Sequence, residues 1–479
     1  MAVRARPADD DASDTDLEID RQADIWLEAL ADSDLVEEAD PSVRDKIRDL
    51  ASARKAKGSG GSKAARAMIA EARAFEAMIL RSANLVFATT NSAAVEQLIE
   101  ESSLFDWTII EEAGKATGSE LLSPLLLSHR RLMIGDHQQL APYGADNMIK
   151  LLSSAESVKK ALRAAMPYIA RYQKEPGIEE IFNVTEVDDT DFGRLCADTL
   201  AVLTLFETLV RGEIAARPNH GRLRRPIFHK LDEQHRMHPA IAKIVSDCFY
   251  DGTIKTNEKV EKKYRNGSPP FRFSDPRLPE RPIVFIDMPY SRETIGYRGG
   301  DRAPPWINPD EVTAALQVLR LLRTTDRSRP SLAVLSPYNE QVKRLRQTIR
   351  SEMATSLKQL SQFEPALGED GYCGTVDSFQ GDQADVVLIS LVRNNEKATV
   401  KSALGFLEDS RRMNVLLSRA KWRMIVIGSL RFYRHVMNYS EKVPTADIGF
   451  LKKFLACLEA AERDGDASIV PWDVVRKKS

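Results

Sequence analysis

Four cysteines in 479 residues are too few and too scattered to form a disulfide scaffold. Cys196, Cys248, Cys373 and Cys457 lie far apart along the chain, so no zinc or redox spacing is present. Sparse, unpaired cysteines suit a reducing compartment, and the expected location is cytoplasmic. No apolar run approaches the roughly 20 residues of a membrane helix, so no membrane partner is expected. The stretch MAVRARPADDDASDTDLEID has no apolar segment and does not read as a secretory signal. An excess of one charge is also missing: 68 Lys and Arg face 70 Asp and Glu, a net charge of −2. Nucleic-acid binding, if present, must come from local placement of charge.

What is there reads as globular, with 43% hydrophobic and 29% charged residues. The length exceeds one compact core. Residues 1–80 read as an acidic tail followed by a helical arm, broken at 57–63 by KGSGGSK. Beyond it, short apolar runs alternate with helical stretches. LVFATT (85–90), WTIIEEA (107–113), RLMIGD (131–136), IVFID (283–287), LAVLSPY (332–338), ADVVLISLV (384–392) and RMIVIGS (423–429) read as buried strands. Helical spacing fits 93–101, 310–323, 339–352 and 411–421. Strands alternating with helices predict an α/β fold, parallel sheets with helices on both faces. The expected domains are a partial first unit at 81–150, a helical insertion and connector at 151–225, acidic around 186–189, a complete second unit at 226–465, and a tail at 466–479.

Ligands of such sheets gather beyond strand ends. At 109–113 an apolar strand ends in Glu111 and Glu112. Paired carboxylates there can hold Mg²⁺ and activate a water, and they can equally form a solvated acidic turn. The next strand ends in GDHQQLAP (135–142), where Gln139 can bond a phosphate oxygen or a water. EQHRMHP (233–239) carries Arg236. An arginine reaching a transferring phosphate is worth on the order of 10³–10⁵ in rate. TVDSFQGDQAD (375–385) offers hydroxyls and a glycine to backbone phosphates. RRMNVLLSRAK (411–421) puts Arg412 and Arg419 seven residues apart, which predicts one helix face.

The ordered set ATT, EEAG, GDHQQLAP, EQHRMHP, SPYNEQ, TVDSFQGDQAD and RRMNVLLSRAK resembles the superfamily 1B helicases, in particular the senataxin and nonsense-mediated-decay RNA helicase group. The resemblance runs from about residue 85 to 429. It implies two RecA-like sheets of the P-loop NTPase helicase architecture, moving along a single strand with ATP and Mg²⁺. It implies Glu111 as the Mg²⁺ ligand and Glu112 as catalytic base, Gln139 as γ-phosphate sensor, and Arg236 and Arg419 as arginine fingers. Asp136, His235, Gln383 and Arg412 fall at nucleotide-contacting motifs. Thr89, Pro142, Asn339, Thr375 and Ser378 would line the track of single-stranded RNA or DNA, and Tyr338 and Gln341 belong to the motif of Asn339.

The chain departs from that family at Glu111, where Asp is usual, at His235, where Tyr is common, and at Gln383, where Glu is usual. The G-x-x-x-x-G-K-[ST] loop expected before Thr89 is not found; the 58–63 segment lacks its spacing and its final hydroxyl. The first RecA-like domain therefore reads as incomplete. Two functions follow: one part of an ATP-hydrolysing helicase whose P-loop half sits on a second polypeptide, or a helicase-like scaffold that binds without hydrolysis.

Overall fold

The computed structural model describes residue 45 and residues 83–476, apart from 101–104, 143, 170–188, 217–226, 295–298, 303–305, 326–328, 369–370 and 441–447. The acidic tail, most of the helical arm, the 57–63 segment and the acidic stretch up to 188 lie outside the described residues. The chain divides into two compact units, one of residues 1–108 and 120–132, the other of residues 109–119 and 133–479.

The chain first forms α1 (Ala93–Glu100), strand β1 (Phe105–Ile110), α2 (Gly118–Leu125) and β2 (Ser128–Met133), with β1 and β2 making a two-stranded sheet. Both strands were expected to be buried. Instead Trp107, Ile109, Leu132 and Ile134 are exposed, and residues 85–90 form no strand, with Phe87 83% exposed. A strand is covered only if other elements pack on it and bond its edge, and among the described residues these have few. Among the described residues four helices follow: α3 (Ala145–Leu152), α4 (Ala155–Ile169), α5 (Asp189–Leu203) and α6 (Leu205–Ala216).

The larger unit is built on a seven-stranded sheet. Its strands are β3 (Ile283–Asp287), β4 (Ser331–Ser336), β5 (Glu364–Pro365), β6 (Cys373–Thr375), β7 (Ala384–Ser390), β8 (Ala420–Gly428) and β9 (Ala467–Pro471). The order is β6-β4-β7-β8-β3-β9, with β5 also on β4, and every pairing is parallel. Period-2 alternation divides the core. Ile283, Phe285, Val387 and Ile389 face one cluster; Val284, Ile286, Val386 and Leu388 face the other. Helices α7 (Pro239–Phe249), α12 (Ser410–Leu417), α13 (Leu430–Ser440) and α14 (Gly449–Arg463) contribute to the first cluster. The second takes in α9 (Pro309–Leu321) and α10 (Asn339–Glu352), which follow α8 (Glu258–Asn266) in the chain. A short helix, α11 (Val400–Leu404), precedes α12. Both faces are covered, which is why these strands read as continuous apolar runs. The stretch at 466–479, read as a tail, instead places β9 beside β3 and buries Trp472 and Val475.

Candidate functional site

Two loops meet after β1 and β2. Ile134 N–H bonds Ile110 O and Ala113 N–H bonds Ile134 O, each at 2.8 Å. The loops approach so closely that a Cβ at Gly135 would lie 2.8 Å from Gly114 N and 3.0 Å from Phe206 Cζ. Glycine is therefore required there. Glu111 and Glu112 project from the first loop, both exposed, and Glu112 is left-handed at φ +52°.

In the second loop Asp136 is the hub. It accepts from Gln138 N and from Gln139 Nε2, both at 2.9 Å, and from the Tyr250 hydroxyl. Tyr250 ends α7. Asn414 of α12 donates to its hydroxyl at 2.7 Å and to Gln138 O at 2.9 Å. Burial, with the Asp136 carboxylate beside it, pushes the Tyr250 phenol well above its usual range. Burial lowers His137, against the opposing pull of Asp136. Among the described residues the buried atoms Asn414 Oδ1 and Gln380 Nε2 have no hydrogen-bond partner.

Arg236 sits on a loop shaped by Gln234, whose Oε1 accepts from Arg236 N (2.9 Å) and Met237 N (2.7 Å). Tyr264 of α8 donates to Arg236 O at 2.6 Å. His238 then caps α7, with Pro239 in its first turn. The Arg236 guanidinium reaches Ser418 O at 3.5 Å. Arg419 is buried, its Nε on Val415 O (2.8 Å), one Nη on Asp382 O (3.3 Å) and the other on Ser418 Oγ (2.8 Å). Burial, then the Arg236 charge, bring Arg419 down to about 10, while Glu112 and Asp382 oppose the change. Burial also lowers Arg236, again opposed by Glu112. Glu112, Arg236 and Arg419 thus share one electrostatic neighbourhood.

The expected shared helix face of Arg412 and Arg419 is not found. Ser418 N–H bonds Asn414 O and Val415 O and closes α12, and β8 begins at Ala420, so Arg419 lies in the turn between them. Arg412 lies at the other end of α12, its Nε 3.8 Å from Asp409 and 4.0 Å from Asp377, its guanidinium over Phe406. The neighbouring Arg411 donates to both carboxylate oxygens of Glu207 on α6, each at 2.7 Å.

The two ends of the large sheet carry different sets. Arg236 stands in the loop leading into α7, and Arg236, Arg419 and the exposed Gln383 lie at the amino ends of β7 and β8. Asn339 follows β4, Thr375 ends β6 and Ser378 follows it, all at the carboxyl end. Thr375 and Ser378 close a reciprocal turn: Thr375 N–H bonds Ser378 Oγ at 3.0 Å and Ser378 N–H bonds Thr375 Oγ1 at 3.1 Å. Gln341 is buried, bonding the Asn308 backbone and Ser390, and Tyr338 bonds Leu404 O, so both hold the fold. His235 is exposed, 3.6 Å from Glu233. Pro142 lies in the Asp136 loop, where its carbonyl accepts from Ala145 N; Thr89 belongs to the smaller unit. Sequence reasoning missed Tyr250, Asn414, Ser418 and Glu207. Asn414 and Ser418 stood inside a recognised motif, but nothing local links Tyr250 to Asp136, 114 residues away.

A seven-stranded parallel sheet covered on both faces, with a glutamate-bearing strand-end loop near two arginines, is the architecture of a RecA-like helicase domain. Two AAA domain families match the chain, one over residues 203–431 and one over 4–144. The chain is 26% identical over 358 residues to a regulator of nonsense transcripts 1 homolog of Arabidopsis thaliana, covering 74% of this chain and 22% of that protein. It is 26% identical over 361 residues to helicase SEN1 of Saccharomyces cerevisiae, covering 74% and 12%. It is also 26% identical to the DNA polymerase alpha-associated DNA helicase A of Schizosaccharomyces pombe, covering 74% and 41%. The chain belongs to the superfamily 1B helicases. It spans less than half the length of each of these relatives. Among the described residues no helix is long and apolar enough to cross a membrane.

Proposed function

We propose that this chain is one part of an ATP-dependent helicase or translocase that acts on single-stranded RNA or DNA in the cytoplasm and uses Mg²⁺. The observation that carries the reading is the convergence of Glu112 with Arg236 and Arg419, two arginines seated on backbone carbonyls and Ser418. Guanidiniums held this way need no reorganisation to meet developing phosphate charge. Glu112 is the base that orients and deprotonates the attacking water. Gln139, parked on Asp136, is the amide that turns toward the γ-phosphate. The exposed carboxylates of Glu111 and Glu112 suit Mg²⁺, a hard cation that prefers oxygen ligands. Bound Mg²⁺ supplies neutralisation of phosphate charge. Asn339, Thr375, Ser378, Pro142 and Thr89 contact the strand.

The phosphate-gripping loop comes, in this reading, from a second polypeptide. The exposed apolar side chains of Trp107, Ile109, Leu132 and Ile134, on strands of buried-type composition, support a further element packing there. Positioning and electrostatics are nearly all of phosphoryl-transfer catalysis, so the chain alone is expected to hydrolyse ATP barely or not at all. Steady-state phosphate release, with and without single strands, measures this. Adding a polypeptide with the P-loop half should restore strand-stimulated turnover, and Glu112→Gln should abolish it. Robust turnover by the chain alone would overturn the split. A scaffold without hydrolysis is the second reading, favoured by exposed His235 and Gln383 at nucleotide-contacting motifs. Failure of rescue by a verified P-loop half would select it.

A further inference from the structure

The turn Gly405–Glu408 stands at the carboxyl end of the large sheet, between α11 and α12. Its second residue, Phe406, is 46% exposed. Among the described residues from 283 to 471 it is the one large apolar side chain left exposed. A lone exposed ring is ordinary on a protein surface. This one is held in place. The Phe406 N–H donates to the Tyr338 hydroxyl at 3.2 Å, and that hydroxyl donates to Leu404 O at 3.1 Å. Gly405 admits the hydroxyl: it is left-handed at φ +56°, and a Cβ there would stand 2.8 Å from Tyr338 Oη. The Tyr338 and Phe406 rings pack 5.3 Å apart, tilted by 52°. Tyr338 directly precedes Asn339, so the same link ties Phe406 to the motif proposed to contact the strand.

Cations interleave with these rings. Arg412 Cζ lies 4.8 Å over Phe406, and Arg393 Cζ lies 6.0 Å over Tyr338 and 3.9 Å over Trp306. The exposed Lys397 places its Nζ 5.2 Å over the Trp306 ring. Arg393 is buried and donates to Ala403 O at 2.7 Å and to Ser402 O, which fixes the chain leading into Gly405. Asp377 and Asp409 beside Arg412 temper its charge without covering Phe406. Aromatic rings alternating with cations suit a ligand with flat π-faces on an anionic backbone.

We propose that Phe406 is a base-stacking residue of the single-strand track. A base of single-stranded nucleic acid lies against the exposed part of the ring, with Arg412 toward the backbone. This rests on the reading of the carboxyl end as the track. It adds contact with bases to Asn339, Thr375 and Ser378, whose hydroxyl and amide groups suit phosphates and sugars. Stacking reads no hydrogen-bond pattern, so the contact tolerates any base. The ring is fixed beforehand by Tyr338 and Gly405, so little freedom is lost when the base arrives.

The test is fluorescence anisotropy of the full chain at low salt. One labelled single-stranded DNA carries adenines, and a second of the same length carries abasic sites. The adenine strand should bind on the order of 10-fold more tightly. Phe406→Ala should bring the adenine strand down to the abasic level, and Phe406→Trp should keep the preference. Phe406→Leu, which retains apolar volume without a ring, should lose it and serves if Phe406→Ala fails to fold. Equal binding of both strands by the wild type would keep the track but overturn the stacking, leaving Phe406 to a protein partner. Binding of neither strand would overturn the track and the stacking together. A preference for adenine that survives in a folded Phe406→Ala or Phe406→Leu would place the stacking on another residue and overturn the proposal.

Discussion

Glu112 occupies a backbone conformation that L side chains avoid. At φ +52° the left-handed region costs a non-glycine residue roughly 1–2 kcal/mol. The strain lies where the candidate base stands, its charge felt by Arg236 and Arg419. Glu112→Gly relieves the backbone and loses the charge, with a greater chain entropy in the unfolded state offsetting part of the gain. We expect it to raise stability by about 0.5–1 kcal/mol in chemical denaturation, while Glu112→Gln stays near wild type. A clear loss of stability in Glu112→Gly would mean that the carboxylate, through Arg236 and Arg419, contributes more to the fold than its backbone costs.

At the scale of elements, the junction of α9, α10 and β7 is organised by one buried acid. Glu311 Oε2 accepts from Ser390 Oγ at 2.6 Å and from Val392 N at 2.8 Å, and Asn308 Nδ2 donates to Val392 O at 2.8 Å. These bonds hold Val392 at φ +71°, an outlier for a β-branched residue. The chain then turns into Arg393, which pairs with Asp301 at 2.9 Å and stacks 3.9 Å from the centre of Trp306. Burial raises Glu311 from the ordinary 4.5 to about 8, although Ser390 and Val392 pull the other way. Its folded value exceeds its unfolded one, so the native state holds the proton more tightly. The resulting stability is complete below about pH 4.5 and is lost as pH rises through about 8. Glu311→Gln should remove this slope. Denaturant midpoints at pH 6 and pH 9 check it: the wild type should weaken at pH 9 by more than the variant. Parallel behaviour of the two would show that Glu311 is ionised at neutral pH.

At the scale of the molecule, a net charge of −2 provides no long-range attraction for a polyanion. Binding of single strands must rest on a local track, for which the hydroxyl and amide groups of Thr375, Ser378 and Asn339 at the carboxyl end of the sheet are the candidates. The affinity should therefore be weak and should fall as salt rises, with little preference for sequence. Fluorescence anisotropy of a labelled single strand across a salt series measures it. No binding at low salt would remove the track from the proposal.

Much was legible without coordinates because both period and motif are local properties. The runs at 283–287, 332–338, 384–392 and 423–429 became β3, β4, β7 and β8, since strands buried on both faces must be apolar throughout. The ordered motifs named the family before any fold was known. Other features depended on distant chain. Composition made β1 and β2 look buried, yet burial depends on neighbours, and their apolar side chains stand exposed. A seven-residue spacing put Arg412 and Arg419 on one face, but Ser418 ends the helix one residue before Arg419. The Tyr250 bridge to Asp136 and Asn414 and the grip of Glu207 on Arg411 join residues 114 or more positions apart. Sequence determined which side chains were available and which elements they prefer. Tertiary packing alone decided which of them meet, because contacts between distant segments are set by how helices seat on the sheet and not by spacing along the chain.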